Sequence, residues 1–204
     1  MLPERIDAIR HSTGWKGCSL SHAKCIQTAK DRGYASVLIM EDDAVPASTA
    51  SYERLCALMP ILEKRQDWDI FNAGPSFVLE YAHPPLVPIV EKPRVVSLDP
   101  PLVAAQTYGC IAYVVRARAY DMLLVALTPE AVDACTDGSL KIDVLLHRFR
   151  TLCSAPHSVV SLNLASDIVG CFMDNEWAFD LANSRLVNLV IAEGLRQRGL
   201  RFKC

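Results

Sequence analysis

No apolar run in this sequence approaches the length of a bilayer span, which excludes an ordinary membrane-spanning helix. There is no basic run, and the formal net charge is −2; broad electrostatic binding to nucleic acid is therefore disfavoured. The cysteines include no CxxC pair, so a zinc ribbon is not indicated. Met1-Leu2-Pro3-Glu4-Arg5 lacks the apolar core of a secretory signal. Internal repeats, heptad seams and low-complexity tracts are missing as well, which excludes solenoids and coiled coils.

What is present is an ordinary globular composition. Of 204 residues, 51% are hydrophobic and 22% charged, enough for one well-buried domain. Residues 1–204 are read as a single domain. The eight cysteines are Cys18, Cys25, Cys56, Cys110, Cys135, Cys153, Cys171 and Cys204. Several sit in apolar or helical surroundings, where free cysteine packs as a small hydrophobe. Reduced thiols in a cytoplasmic compartment are expected, rather than a disulfide framework.

The spacing predicts a helix over 19–32, capped by Ser19 or Ser21, with Leu20, Ala23, Ile26 and Ala29 on one face. Gly14 and Gly17 before it read as turns, and Gly33 as its stop. Val37-Leu38-Ile39-Met40 reads as a buried central strand. A helix from Ser48 or Thr49 to about Met59 follows, then a strand over 68–74. Residues 75–101 are proline-rich and read as a long loop with one short strand at Arg94–Leu98. Strands over 107–115 and 159–164, and helices over 116–127, 141–151 and 183–199, complete the pattern. Alternating strands and helices predict an α/β fold: a mostly parallel sheet with helices on both faces.

The organising stretch is the strand at Val37 running directly into Glu41-Asp42-Asp43, with Pro46 beyond. Three adjacent carboxylates repel one another and are costly to bury unpaired. A divalent metal carrying a phosphate is the natural counter-charge. In open α/β sheets, ligands gather at the carboxyl ends of strands. A solvated acidic turn is the plainer alternative. Ser21 and His22, read as lying in the first helical turn, have exposed amides that favour anions. His22 is equally explained as a packing or capping residue, and Asp143 as a helix cap.

Three segments occur in order: Gly17-Cys18-Ser19-Leu20-Ser21-His22, then the strand ending in Glu41-Asp42-Asp43, then Thr107-Tyr108-Gly109-Cys110-Ile111-Ala112-Tyr113 followed by Ile142-Asp143. As a set they resemble the family 25 glycosyltransferases, the lipooligosaccharide and procollagen galactosyltransferase type. The resemblance covers roughly Glu4 to Gly170; residues 171–204 form a helical tail without a family motif. It implies a Rossmann-like, A-type glycosyltransferase fold, a UDP-hexose donor, Mn²⁺ or Mg²⁺ as cofactor, and a glycan or glycoprotein acceptor. By position, Asp43 is implied as a direct metal ligand, Asp42 as a ligand or ribose contact, and Glu41 as their support. Ser21, His22, Tyr108 and Gly109 are implied on the donor side, with His22 touching the donor phosphate or organising the acidic motif. Asp143 is implied on the acceptor side, as general base or hydroxyl ligand. Ser166 and Asp167 follow a strand and are candidates for lining the same cleft.

The resemblance also marks a departure. Members of that family begin with a further apolar strand, whereas this chain reaches Gly17-Cys18 almost at once. An N-terminal segment or a partner chain is then expected to complete the sheet edge. Two other readings stay open at this level: a non-catalytic binding or scaffolding module on the same fold, and an unrelated metal-dependent phosphohydrolase. For a viral member of the family, the compartment is the host cell's.

Overall fold

The computed structural model describes residues 3–79, 92–162, 165–166, 171–172 and 176–198. In chain order these form α1 (Gly14–Asp31), β1 (Ser36–Met40), β2 (Ala44–Pro46), α2 (Thr49–Lys64), β3 (Ile70–Asn72), β4 (Phe77–Val78), β5 (Arg94–Leu98), β6 (Pro101–Ala104), β7 (Thr107–Tyr108) and β8 (Ala112–Arg116). Then follow α3 (Ala117–Ala126), α4 (Pro129–Ala134), α5 (Ile142–Leu145) with a 3₁₀ turn at Leu146–Arg148, β9 (Thr151–Ser154), β10 (Val159–Ser161), β11 (Ala165–Ser166), β12 (Cys171–Phe172) and α6 (Glu176–Gln197).

The chain is an α/β protein built on a mixed six-stranded sheet of order β1-β8-β3-β9-β6-β5. The expectation of a mostly parallel sheet is corrected here. Only β3 and β9 pair in parallel; the other pairings along the sheet are antiparallel. The reason is topological. β8 inserts between β1 and β3, and β6 between β9 and β5, and each runs against its neighbours. β1, β3, β9 and β5 therefore point one way and β8 and β6 the other.

Helices do cover both faces. Along β8, alternate residues point to opposite sides. Tyr113 and Val115 join α1, α3 and α5 in one core through Ile26, Leu123 and Leu145. Ala112 and Val114 join α2 in another, with Leu55, Leu58 and Leu62. α6 closes the far end, burying Ala182 and Leu186 against Val78, Val103 and Cys153.

β1 is not a central strand. It pairs with β8 alone, at the sheet edge. Val37 and Ile39 pack inward, but Leu38 and Met40 are 45% and 44% exposed. Their cross-strand partners Val114 and Ala112 lie under α2, which does not extend over β1. The unbroken apolar run hid this alternation.

α1 begins earlier than its sequence suggested, at Gly14 with Thr13 as N-cap. Gly17 is inside the helix: a Cβ there would meet the Ile9 carbonyl at 2.6 Å, so the residue serves close approach rather than a turn. Ser19 and Ser21 are not caps. The Ser19 hydroxyl accepts the Ile142 N–H at 3.1 Å, tying α1 to α5. Ser21 accepts the Ile9 N–H at 2.8 Å and donates to the Gly17 carbonyl at 2.7 Å.

Other elements keep close to the sequence reading. α2 is capped by Ser48, whose hydroxyl accepts the Ser51 N–H at 3.1 Å, but continues to Lys64. The strand expected over 107–115 is split at Gly109-Cys110-Ile111 into β7 and β8. The helix expected over 141–151 stops by Arg148, and Thr151 already belongs to β9. α4 was not anticipated, and α6 starts before residue 183. Residues 80–91 of the proline-rich loop lie outside the described residues, as does Leu164. No helix among the described residues is long and apolar enough to cross a membrane. Cys18, Cys25, Cys56, Cys110, Cys135 and Cys153 are free thiols.

Candidate functional site

β1 delivers the chain into a tight turn. The Glu41 N–H donates to the Ile111 carbonyl at 2.8 Å, and the Ala44 N–H closes back on the Glu41 carbonyl at 3.2 Å. Residues within such a turn project in different directions, and the three carboxylates separate accordingly. Glu41 faces α1, where its Oε1 lies 3.5 Å from His22 Nε2. Asp42 is exposed. Asp43 turns toward β10, the antiparallel partner of β2. Its Oδ2 accepts the Ser161 hydroxyl at 2.5 Å, and its carbonyl accepts the Leu162 N–H at 2.8 Å. The other carboxylate oxygen, Asp43 Oδ1, is buried without a hydrogen-bond partner.

The second wall comes from the break between β7 and β8. Gly109 has φ +86° and a Cβ there would meet Ser76 Oγ at 2.2 Å; only glycine fits both demands. Buried Asn72, at the end of β3, holds this turn. Its Nδ2 donates to the Gly109 carbonyl at 2.7 Å and to Thr107 Oγ1 at 3.0 Å, and its Oδ1 accepts the Gly74 N–H at 3.1 Å. Tyr108 is half-buried, with its ring 6.1 Å from that of His147. Burial, then the nearby Asp143 and Cys110, push its phenol above the usual range.

Asp143 enters from the first turn of α5. Its Oδ1 is also buried without a partner. Burial is the main cause raising its carboxyl above the usual range; Glu41 adds to the rise, while Cys110, His22 and the Gly109 amide oppose it. His22 is buried at mid-helix in α1. Its Nδ1 shares a 2.7 Å hydrogen bond with the Tyr113 hydroxyl, and the two rings stack at 5.6 Å.

The structure thus brings together His22, Glu41, Tyr108, Gly109 and Asp143, with Asp42 and Asp43 on the far side of the acidic turn. One expectation is corrected. Ser21 and His22 lie well inside α1, not in its first turn, so their amides are not the free donors an anion needs. Ser21 is occupied by the Ile9 segment. Ser166 falls in β11, and Asp167 lies outside the described residues.

Several residues went unremarked as site members: Cys18, Asn72, Cys110, Tyr113 and Ser161. For Cys18 a signal existed, since Cys18 and His22 are four apart and share a helix face. It was obscured because the helix seemed to begin after Cys18. The other four are placed by long-range pairing, which leaves no local mark.

Oxygen donors at the end of β1, one of them a buried orphan, fit a hard divalent ion in the chemistry of the donor set. A shallow cavity of about 210 Å³ lined by Lys30, Tyr34, Ala117 and Asp121 lies at the opposite end of β1 and is not part of this arrangement. Fold and site together define an α/β protein with an acidic turn at the carboxyl end of an edge strand. Compared with known proteins, the chain matches no family model and no curated protein.

Proposed function

We propose that the protein is a metal-dependent glycosyltransferase that moves a hexose, galactose or glucose, from a nucleotide-sugar donor to a hydroxyl of a glycan or protein. The observation carrying this reading is the buried, unpartnered Oδ1 of Asp43 in the acidic turn after β1. Such a group costs free energy unless something positive meets it. Asp43, with Asp42 beside it in sequence, would hold Mn²⁺ or Mg²⁺. The ion would supply neutralising charge to the departing nucleoside diphosphate.

The remaining residues take roles that their surroundings support. Asp143, with its carboxyl raised by burial, is the base that accepts the proton of the acceptor hydroxyl. His22, fixed by Tyr113, orients Glu41 and thereby the acidic turn. Tyr108 and Gly109 form the floor against which the donor sugar lies. The order of motifs that resembles family 25 glycosyltransferases favours the same assignment.

Calorimetry with UDP-galactose and UDP-glucose, first with Mn²⁺ and then with EDTA, tests it. Metal-dependent binding that disappears in a folded Asp43→Ala variant is the expected result. Unchanged binding in that variant would remove the metal assignment. A second reading, a non-catalytic module that binds donor without transferring it, is favoured by one observation: β1 stands at the sheet edge with Leu38 and Met40 exposed. Donor binding without transfer to any glycan or protein acceptor would select it.

A further inference from the structure

A second set of donors lies on the α1 side of the acidic turn, and its chemistry is not that of an oxygen-only site. Cys18 and His22 project from one face of α1, and Glu41 reaches them from the end of β1. One ligand atom from each lies within 4.8 Å of the others, the only such group of three among the described residues. We propose that Cys18, His22 and Glu41 bind a thiophilic divalent cation such as Zn²⁺, distinct from the hard ion proposed for Asp42 and Asp43.

Several features argue for a built site. Two of the ligands are spaced i, i+4 on a helix, a chelating arrangement whose geometry the backbone sets. The His22 ring is pinned from behind: Nδ1 is engaged by the buried Tyr113 hydroxyl at 2.7 Å, which leaves Nε2 directed at Glu41. Metal-binding histidines are oriented in this way by a partner on their other nitrogen. The neighbouring Asp143 Oδ1 is buried with no hydrogen-bond partner, and its charge acts on both Cys18 and His22. A cation among these groups would offset that cost.

The chemistry balances simply. The ion replaces the Cys18 thiol proton, releasing one proton per ion, and takes a lone pair each from thiolate, imidazole and carboxylate. Thiolate and carboxylate together neutralise its charge. Bonds of about 2.3 Å to sulfur and about 2.0 Å to nitrogen and oxygen place tetrahedral ligands roughly 3.3–3.5 Å apart. His22 Nε2 and Glu41 Oε1, 3.5 Å apart, already stand near that spacing; the Cys18 sulfur, within 4.8 Å of both, has at most about 1.3 Å to close, within reach of side-chain rotation. Without a cation, burial and then the Glu41 and Asp143 charges push the Cys18 thiol up to about 12; a bound cation reverses the sign of the local field. Soft sulfur and imidazole select zinc-like ions, where carboxylates alone select magnesium or manganese.

Co²⁺ is the probe, because thiolate-to-cobalt charge transfer reports sulfur ligation directly. Reduced, chelator-treated protein is titrated with Co²⁺ and then with Zn²⁺. One equivalent producing a near-ultraviolet charge-transfer band that Zn²⁺ abolishes is the expected result. Cys18→Ser eliminates the band, Glu41→Gln weakens Co²⁺ binding by tenfold or more, and Cys25→Ser and Cys56→Ser leave it unchanged. No band at stoichiometric Co²⁺, or a band that survives Cys18→Ser, overturns the proposal. If Cys18→Ser does not fold, Glu41→Gln decides, and unaltered affinity in that variant overturns it equally. The readout needs no sugar donor, so its outcome is separable from that of the transferase reading.

Discussion

Acid should loosen the seam that holds α6 to the sheet, and His157 is the reason. The residue sits between β9 and β10, 5% exposed, with its ring edge-on to Phe179 at 5.9 Å. Its own N–H donates to Asn183 Oδ1 at 3.1 Å, so both contacts are to α6. Its Nδ1 is buried without a partner. Burial lowers its pKa from 6.5 to about 4, against a smaller upward pull from Asp180. A lowered histidine is neutral in the folded chain at pH values where the unfolded chain already carries the proton. The stability it contributes is complete above pH 6.5 and is lost as the pH falls to about 4. At 1.36 kcal/mol for each pH unit the loss is about 3 kcal/mol, a large share of the roughly 5–15 kcal/mol a domain possesses. Urea denaturation followed by far-UV circular dichroism, from pH 7.5 to 4, measures it. His147, also lowered by burial, contributes in the same direction, so the comparison that isolates His157 is with His157→Gln. Wild type should lose about 3 kcal/mol more than the variant across this range. Parallel curves for the two proteins would refute the reasoning.

Two further outcomes are expected from the site. Asp143→Asn should raise the melting temperature at pH 8, by about 1–2 kcal/mol of stability, because it removes the charge of a buried carboxylate whose Oδ1 has no hydrogen-bond partner. Its folded pKa is raised, so the gain vanishes below the ordinary 3.8, where the acid is protonated in both states; equal melting temperatures at pH 8 would count against it. Gly109→Ala should cost about 2 kcal/mol in urea denaturation, because the φ of +86° and the Ser76 contact cannot both be kept. An unaffected midpoint would show that Ser76 and the turn yield easily.

Periodicity exposed those parts of the fold whose burial is local. Leu20, Ala23, Ile26 and Ala29 recur on one face of α1 and are all buried. Leu55 and Leu58 do the same on α2. Strand direction was not visible in this way. β8 reads as an apolar run whether it lies parallel or antiparallel to β1. Its insertion between β1 and β3 is a long-range pairing that leaves no local mark. The edge position of β1 was hidden for a related reason: a run of apolar residues cannot distinguish two covered faces from one. Glycines misled in the opposite sense. Gly17 looked like a helix breaker, yet it is where the Ile9 segment crosses α1, a contact the local sequence does not encode.

The site shows the same division, and it bears on how the acidic segment should be understood. As a string, Glu41-Asp42-Asp43 suggests one anionic cluster with one ion. In space the turn sends Glu41 to His22, Asp42 to solvent and Asp43 to Ser161. Separation relieves the mutual repulsion that adjacent carboxylates would otherwise suffer. It also splits the donors by chemistry. Glu41 joins a thiol and an imidazole, whereas the Asp43 carboxylate meets the Ser161 hydroxyl and Asp42 faces solvent. A single ion drawing in all three carboxylates would have to pull Glu41 away from His22 on α1. Two ions of different softness leave that contact in place. Mn²⁺ dependence of donor binding and Co²⁺ ligation by Cys18 are therefore expected to respond to different substitutions, Asp43→Ala for the first and Cys18→Ser for the second. A loss of both in either variant would show that the turn works as one site after all.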